Sequence, residues 1–231
     1  MKITYIGHSG FLVELERTVL LFDYAQGELP GVSGEKKWYI FASHRHQDHF
    51  QPQIFTLARQ YPDVQYVLSS DIWRSRVPEE LQGQTVRLKA KEGWEDGRIQ
   101  VETLKSTDEG VAFLIQAEGK VIYHAGDLNY WYWDLESEEW NRKMEQNYRK
   151  FIEPLRGKTV DAAFIVLDPR QGDSYALGMD YALSMIEAKK VYPMHCWEDY
   201  SIIERWKKEH PDSPYRERMV MITRRGEHFT Q

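Results

Sequence analysis

His44, His46, Asp48 and His49 fall within six residues in the order HxHxDH, directly after the apolar run Trp38-Tyr39-Ile40-Phe41-Ala42. Neutral imidazole nitrogens and ionised carboxylates are the donors that divalent transition ions take, and crowding four of them is costly unless a cation sits among them. In an extended segment the two-residue period turns His44 and His46 the same way, and a turn after Gln47 lets Asp48 and His49 face a second centre. One short loop can therefore serve two ions. The plainer reading, a polar loop entering a helix with Asp48 as its cap, stands beside it. Four further pieces favour metal. Gly126-Asp127 follows an apolar run and offers a carboxylate able to bridge two ions, and His195 stands just past Tyr192-Pro193-Met194. Gly7-His8-Ser9-Gly10 separates two short apolar runs, and Asp23 closes Leu21-Phe22.

The elements that must position these residues are legible from periodicity. Closely spaced alternation predicts strands over 3–6, 11–15 and 19–22, a meander, then a Gly- and Pro-rich loop over 27–34 and a buried strand over 38–42. Pro52 suits the first turn of a helix carrying Ile54, Phe55, Leu57 and Ala58, ended by Tyr61-Pro62. A strand over 65–68 and a helical piece over 71–76 follow. Strands are then expected over 85–88, 98–104, 111–117 and 120–123, the last two joined by a tight turn at Glu118-Gly119. Helices are expected over 138–152, 178–189 and 201–209, and strands over 162–167, 190–193 and 219–222. No linker or composition shift divides the chain, so residues 1–231 read as one domain, a layered sheet-on-sheet core with helices outside.

Composition bounds the partners. The 231 residues hold 30 Lys+Arg against 36 Asp+Glu, a formal charge of −6, with 42% hydrophobic residues. That is a globular balance, and with no basic run longer than Arg224-Arg225 the chain lacks the footprint of a duplex nucleic-acid reader. One cysteine, Cys196, allows no internal disulfide and suits a reducing compartment. Met1-Lys2-Ile3-Thr4 runs straight into a strand pattern, and no apolar run approaches the roughly 18 residues of a spanning helix, so the expectation is a cytoplasmic protein without a membrane partner.

Taken in order, GHSGF, HxHxDH, the Gly-Asp pair and the late Pro-Met-His resemble the metallo-β-lactamase-fold hydrolases, and most closely the branch of ascorbate-6-phosphate lactonase-like enzymes. The resemblance runs from about His8 to His195. It implies an α/β protein, a four-layer αββα sandwich with a dinuclear site at one edge of the sheets. Carried over by position, His44 and His46 hold the first metal, Asp48, His49 and His195 the second, and Asp127 bridges. A hydroxide between two cations is a nucleophile at neutral pH, and the same cations polarise the oxygen under attack. The family also supplies a histidine to the first metal from the segment before the hairpin, where this chain reads Lys105-Ser106-Thr107-Asp108-Glu109-Gly110. Either Asp108 or Glu109 substitutes as an oxygen ligand, shifting preference toward harder ions, or the first site is weak and Asp108 is a turn residue ahead of Gly110. The cofactor expectation is one or two divalent ions per chain, zinc, or manganese or iron(II) if Asp108 is a ligand. In the surrounding shell the resemblance places His8 and Asp23, the latter fixing the ring of a ligating histidine. His124, His210, His228 and Cys196 are left out of the site.

For the substrate, the run Tyr130-Trp131-Tyr132-Trp133 holds too many rings for one face to bury. Trp131 and Trp133 either wall a pocket or form a cover or a dimer contact. Arg170, after Asp168-Pro169, is either a cation for a substrate phosphate or carboxylate or one half of an ion pair. The expected function is a metallo-hydrolase acting on a phosphodiester, lactone or other ester of a small molecule, with Asp48 and Asp127 placing the nucleophile. A noncatalytic or mononuclear descendant of the fold is the alternative; iron redox chemistry ranks last, and a homo-oligomer is left open.

Overall fold

The computed structural model describes residues 1–32 and 35–231, so the last two positions of the predicted 27–34 loop lie outside the described residues. In chain order the strands are β1 (Lys2–Gly7), β2 (Gly10–Glu14), β3 (Thr18–Phe22), β4 (Lys37–Ala42), β5 (Val64–Ser69), β6 (Thr85–Leu88), β7 (Gly93–Glu95), β8 (Ile99–Lys105), β9 (Val111–Ala117), β10 (Lys120–His124), β11 (Thr159–Val166), β12 (Glu187–Met194) and β13 (His228–Thr230). They form a seven-stranded sheet in the order β13-β1-β2-β3-β4-β5-β6 and a six-stranded sheet in the order β12-β11-β10-β9-β8-β7. The α-helices are α1 (Glu138–Ile152), α2 (Leu177–Met185) and α3 (Ser201–Glu209). None of the described helices is long and apolar enough to cross a membrane.

Period-two alternation divides the first sheet between two cores. Phe11, Val13, Leu20, Phe22, Tyr39 and Phe41 join the cluster shared with the second sheet and its α-helices. Leu12, Val19, Leu21, Trp38 and Ile40 pack instead with Ile54, Phe55 and Leu57 on the opposite face. The resulting four layers are the αββα sandwich, with one outer layer wound more tightly than expected. Residues 52–59 form a 3-10 helix, held by three buried apolar side chains and lacking a side-chain cap at Gln51. By contrast α1 matches its predicted span, because Ser137 caps Trp140 N and acidic and basic residues sit at the favourable ends.

Three expectations are corrected. The helix predicted over 178–189 stops at Met185, and residues 187–194 pair in parallel with β11, so sheet pairing overrides a helical pattern. Residues 219–222 form no strand, and Met219 makes only an isolated bridge to Val191. The short polar strands β7 and β13 have no periodic signal, and their partners β8 and β1 define them. The hairpin at Glu118-Gly119 is present, both residues taking positive φ, and the Glu118 carboxylate accepts hydrogen bonds from Arg17 N and Thr18 Oγ1 of the other sheet.

Gly110 brings the sheets together beside His44. Its φ is +67°, Val111 N donates to Ser43 O at 2.9 Å, and a Cβ at Gly110 would lie 2.0 Å from that carbonyl oxygen. Gly119 also has positive φ but opens onto space. Gly110→Ala is therefore expected to cost about 3 kcal/mol or more in denaturant unfolding, against about 1 kcal/mol for Gly119→Ala. Equal losses would show that the approach of the Gly110 backbone does not constrain the fold.

Candidate metal centre

Parallel pairing of β3 with β4, and of β10, β11 and β12 with one another, aligns the carboxyl ends of those strands. Asp23 follows β3, residues 43–49 follow β4, and Asp127, Asp168 and His195 follow β10, β11 and β12. His8 lies in the β1–β2 turn and Asp108 in the β8–β9 loop. Chemistry-bearing side chains thus collect where parallel strands end, the usual place for a site in an α/β sheet.

They form two groups able to hold an ion: His44, His46, Asp108 and Asp127 in one, His8, Asp48, His49 and His195 in the other. His44 Nε2 lies 3.0 Å from His46 Nδ1 and 3.5 Å from Asp127 Oδ2, and His46 Nδ1 is 3.6 Å from Asp108 Oδ2. On the other side Asp127 Oδ1 is 3.2 Å from His49 Nε2 and 3.5 Å from His195 Nε2, while His8 Nε2 is 3.2 Å from Asp48 Oδ2. One carboxylate faces both groups. His8, expected in the surrounding shell, falls in the second of the groups that could hold an ion.

The donor set fits cations on a direct observation. His8 Nε2, His49 Nε2, His195 Nε2 and Asp127 Oδ1 are all buried without a hydrogen-bond partner, despite lying so close together. Four orphaned polar atoms converging in one place are costly, and a shared divalent ion removes that cost. The far nitrogens of His44, His49 and His195 are engaged. Asp23 Oδ2 lies 2.7 Å from His49 Nδ1, Asp23 Oδ1 accepts from Ser43 N at 2.7 Å, and Ser43 Oγ is 3.0 Å from His44 Nδ1. Asp168 Oδ2 is 2.8 Å from His195 Nδ1. Carboxylates on Nδ1 hold a proton there, so that Nε2 is the nitrogen each ring turns toward a metal.

Electrostatics keeps His44 neutral and the buried carboxylates of Asp127 and Asp168 ionised. Burial pushes the His44 imidazole down to about 4, so it is neutral at pH 7. Burial would raise the Asp127 carboxyl, but the charges of His49 and His195 outweigh it and hold it well below the usual range. Asp168 is likewise brought down to about 2 against its burial by hydrogen bonds from His195 and Arg170. His49 moves the other way. Burial favours its neutral form, yet Asp127 and Asp23 together raise it well above an ordinary histidine.

Backbone strain marks the same place. His8, Asp23, His195, Trp197 and Glu198 all have φ between 42° and 67°, a region L-residues rarely occupy, and His195 N donates to His8 O.

A cleft of about 360 Å³ opens over the centre, its lining including Asp48, Asp108 and Asp127 together with Trp131, Trp133 and Arg170. Trp131 is buried and Trp133 partly so, their rings parallel with centroids 6.0 Å apart. The aromatic segment is pegged by Asn141, which bonds both backbone groups of Trp133, and by Gln171, which donates to Tyr130 O. Outside the site, His124 stacks on Phe22 and lies 2.9 Å from Ser9 O, His210 lies 3.0 Å from Asp180, and Cys196 is buried. Sequence reasoning missed Asp168, Ser43 and Trp197 as parts of the site. Asp168 had a usable signal, since Val166-Leu167-Asp168 ends a buried strand just as Leu21-Phe22-Asp23 does.

An αββα sandwich with paired imidazole–carboxylate clusters at one sheet edge defines a class of metal-binding proteins. The chain belongs to the family described as the beta-lactamase superfamily domain, whose model matches residues 2–142. Among curated proteins it is similar to a UPF0173 metal-dependent hydrolase of Pelotomaculum thermopropionicum, 24% identical over 230 residues, spanning 89% of this chain and 88% of that protein. A namesake from Heliobacterium modesticaldum is 25% identical over 229 residues, spanning 89% and 86%. In fold the chain is similar to Igni18, a metallo hydrolase of Ignicoccus hospitalis, with a TM-score of 0.64, 17% identity and coverage of 100% of this chain and 98% of that one.

Asp23→Asn should lower zinc affinity by about 10- to 100-fold, read by competition with a chromophoric chelator, because His49 loses the carboxylate that fixes its ring. Because Asp127 and Asp23 raise the His49 imidazole well above an ordinary histidine, zinc uptake by chelator-treated protein near neutral pH should release protons, and affinity should rise with pH. Calorimetry in buffers of different ionisation enthalpy measures this. A binding heat independent of the buffer would contradict it.

Proposed function

We propose that the protein is a metal-dependent hydrolase of this superfamily that cleaves an ester, lactone or phosphodiester bond in a small molecule. The observation that carries the reading is the set of four buried, unpartnered atoms around Asp127, beneath an open cleft. In this reading His44, His46, Asp108 and Asp127 hold one divalent ion, and Asp48, His49 and His195 hold the other, with His8 beside them and Asp127 between. Such a pair supplies Lewis acidity and lowers the pKa of water to near neutrality.

The chain's own groups orient the reactants. Asp48 is about one-third exposed on the lining of the cleft, and its carboxyl is held below the usual range by His8 and His49 against the effect of burial. It therefore stays an anion at neutral pH, able to accept a hydrogen from an attacking water and fix its direction. Asp127 stays ionised and buried, a fixed negative point between the imidazoles. Trp131 and Trp133 exclude water from one wall. Asp108 serves as an oxygen ligand in place of a third histidine, supported by its 3.6 Å approach to His46. Two nitrogens and two carboxylates favour manganese or iron(II) there, while the histidine-rich second group suits zinc. The whole chain acts as one domain.

A panel of phosphodiesters, lactones and aryl esters, run beside metal analysis of protein purified without chelators, tests the reading. Two ions per chain and turnover reduced by about 10³-fold or more in Asp48→Ala and His195→Ala are expected. Asp108→Ala should lose about one ion. Metal-free protein that is folded and inert on the whole panel would overturn the reading.

A further inference from the structure

Arg170 is held by one carboxylate and by aromatic rings. Its Nε lies 3.0 Å from both oxygens of Asp168 and its Nη2 donates to Asp168 Oδ2 at 2.6 Å. The guanidinium carbon sits 4.3 Å from the Trp197 ring centroid and 5.9 Å from that of Trp133. Pro169 and the bond from Arg170 N to Asp168 Oδ1 fix the backbone as well. The plane of the cation is therefore set before anything binds. Asp168 itself does not need the whole cation, since it also faces His195 Nδ1 and accepts from Trp197 Nε1. Among the described residues Nη1 makes no hydrogen bond, and the side chain is about half exposed, on the lining of the cleft. A guanidinium clamped along one edge keeps a second N–H edge free, and that edge matches a carboxylate or phosphate.

The rest of the cleft says what should accompany such an anion. Its lining sets the apolar side chains of Trp133, Trp140 and Met144 beside carboxylates and imidazoles. The geometry points to a substrate with an oxyanion, a carboxylate or phosphate group separate from the bond that reacts, joined to a flat apolar part: Arg170 takes the oxyanion and the tryptophans take the flat part. Because the fork and the rings are already ordered, little freedom is lost on binding. The same Asp168 carboxylate contacts Arg170 and His195, so substrate charge and the second ligand group are joined through one residue. This inference rests on reading the cleft as the substrate site.

The test reads binding, not turnover, by quenching of tryptophan fluorescence. Phenylphosphonate and the neutral benzyl alcohol are titrated into protein as purified and into chelator-treated protein. Phenylphosphonate should bind about tenfold or more tighter than benzyl alcohol, and R170Q should remove about tenfold from the phosphonate alone. R170K, which keeps the charge but loses the fork, should fall between. The preference should survive chelation. An unchanged phosphonate-to-alcohol ratio in R170Q, or phosphonate binding that vanishes on chelation, would overturn the proposal; if R170Q does not fold, an unchanged ratio in R170K does so. A barren ester panel would remove the hydrolase reading and leave a measured Arg170 preference standing. Lost anion preference with intact hydrolysis would do the reverse.

Discussion

Asp127 is a buried carboxylate with each oxygen turned to a different set of imidazoles, His44 on one side and His49 and His195 on the other. An ionised carboxylate in that position is tolerable only with positive charge around it, and the imidazoles in turn are tolerable only with partners on both nitrogens. Much of the surrounding architecture answers those two demands. Asp23 and Asp168 engage the far nitrogens of His49 and His195. Ser43 joins Asp23 to His44, so that the two strands β3 and β4 are linked through one hydroxyl. The near nitrogens remain for a cation.

Delivering so many groups to one point has a conformational cost, and it is concentrated where the groups are. The left-handed backbone at His8, Asp23 and His195 lets each chain leave its strand at an angle that regular extended geometry would not permit. The long buried strands behind them hold that strain. Gly110 and Gly126 complete the arrangement, since a side chain at either would collide with Ser43. The aromatic wall is secured differently, by the amide side chains of Asn141 and Gln171 bonding to loop backbone.

How much of this was readable in the sequence depended on how local the signal was. Strands with alternating burial, such as β8, and helices with a cap and a graded charge distribution, such as α1, appear within a residue of where the pattern puts them. HxHxDH, Gly-Asp and Pro-Met-His mark residues that the fold brings together. Two kinds of information were not local. A strand was expected over 190–193, but residues 187–189 were expected in a helix and join that strand because β11 is there to pair with, which a helical period in the sequence could not reveal. The role of Asp168 and Trp197 beside His195 depends on distances between separate strand ends, while His8 falls in a group that could hold an ion only because the β1–β2 turn folds over the end of β12.

The residues of the two groups that could hold an ion are divided between the sheets. His8, His44, His46, Asp48 and His49 belong to the first, and Asp108, Asp127 and His195 to the second. An ion held at Asp127 would therefore be a cross-link, joining two layers that otherwise meet mainly through apolar contacts. Neither sheet carries a complete coordination set, so a half-folded chain has little means of trapping metal. Occupancy then reports that the two halves have docked, and ion availability becomes a term in the folding equilibrium of the whole molecule.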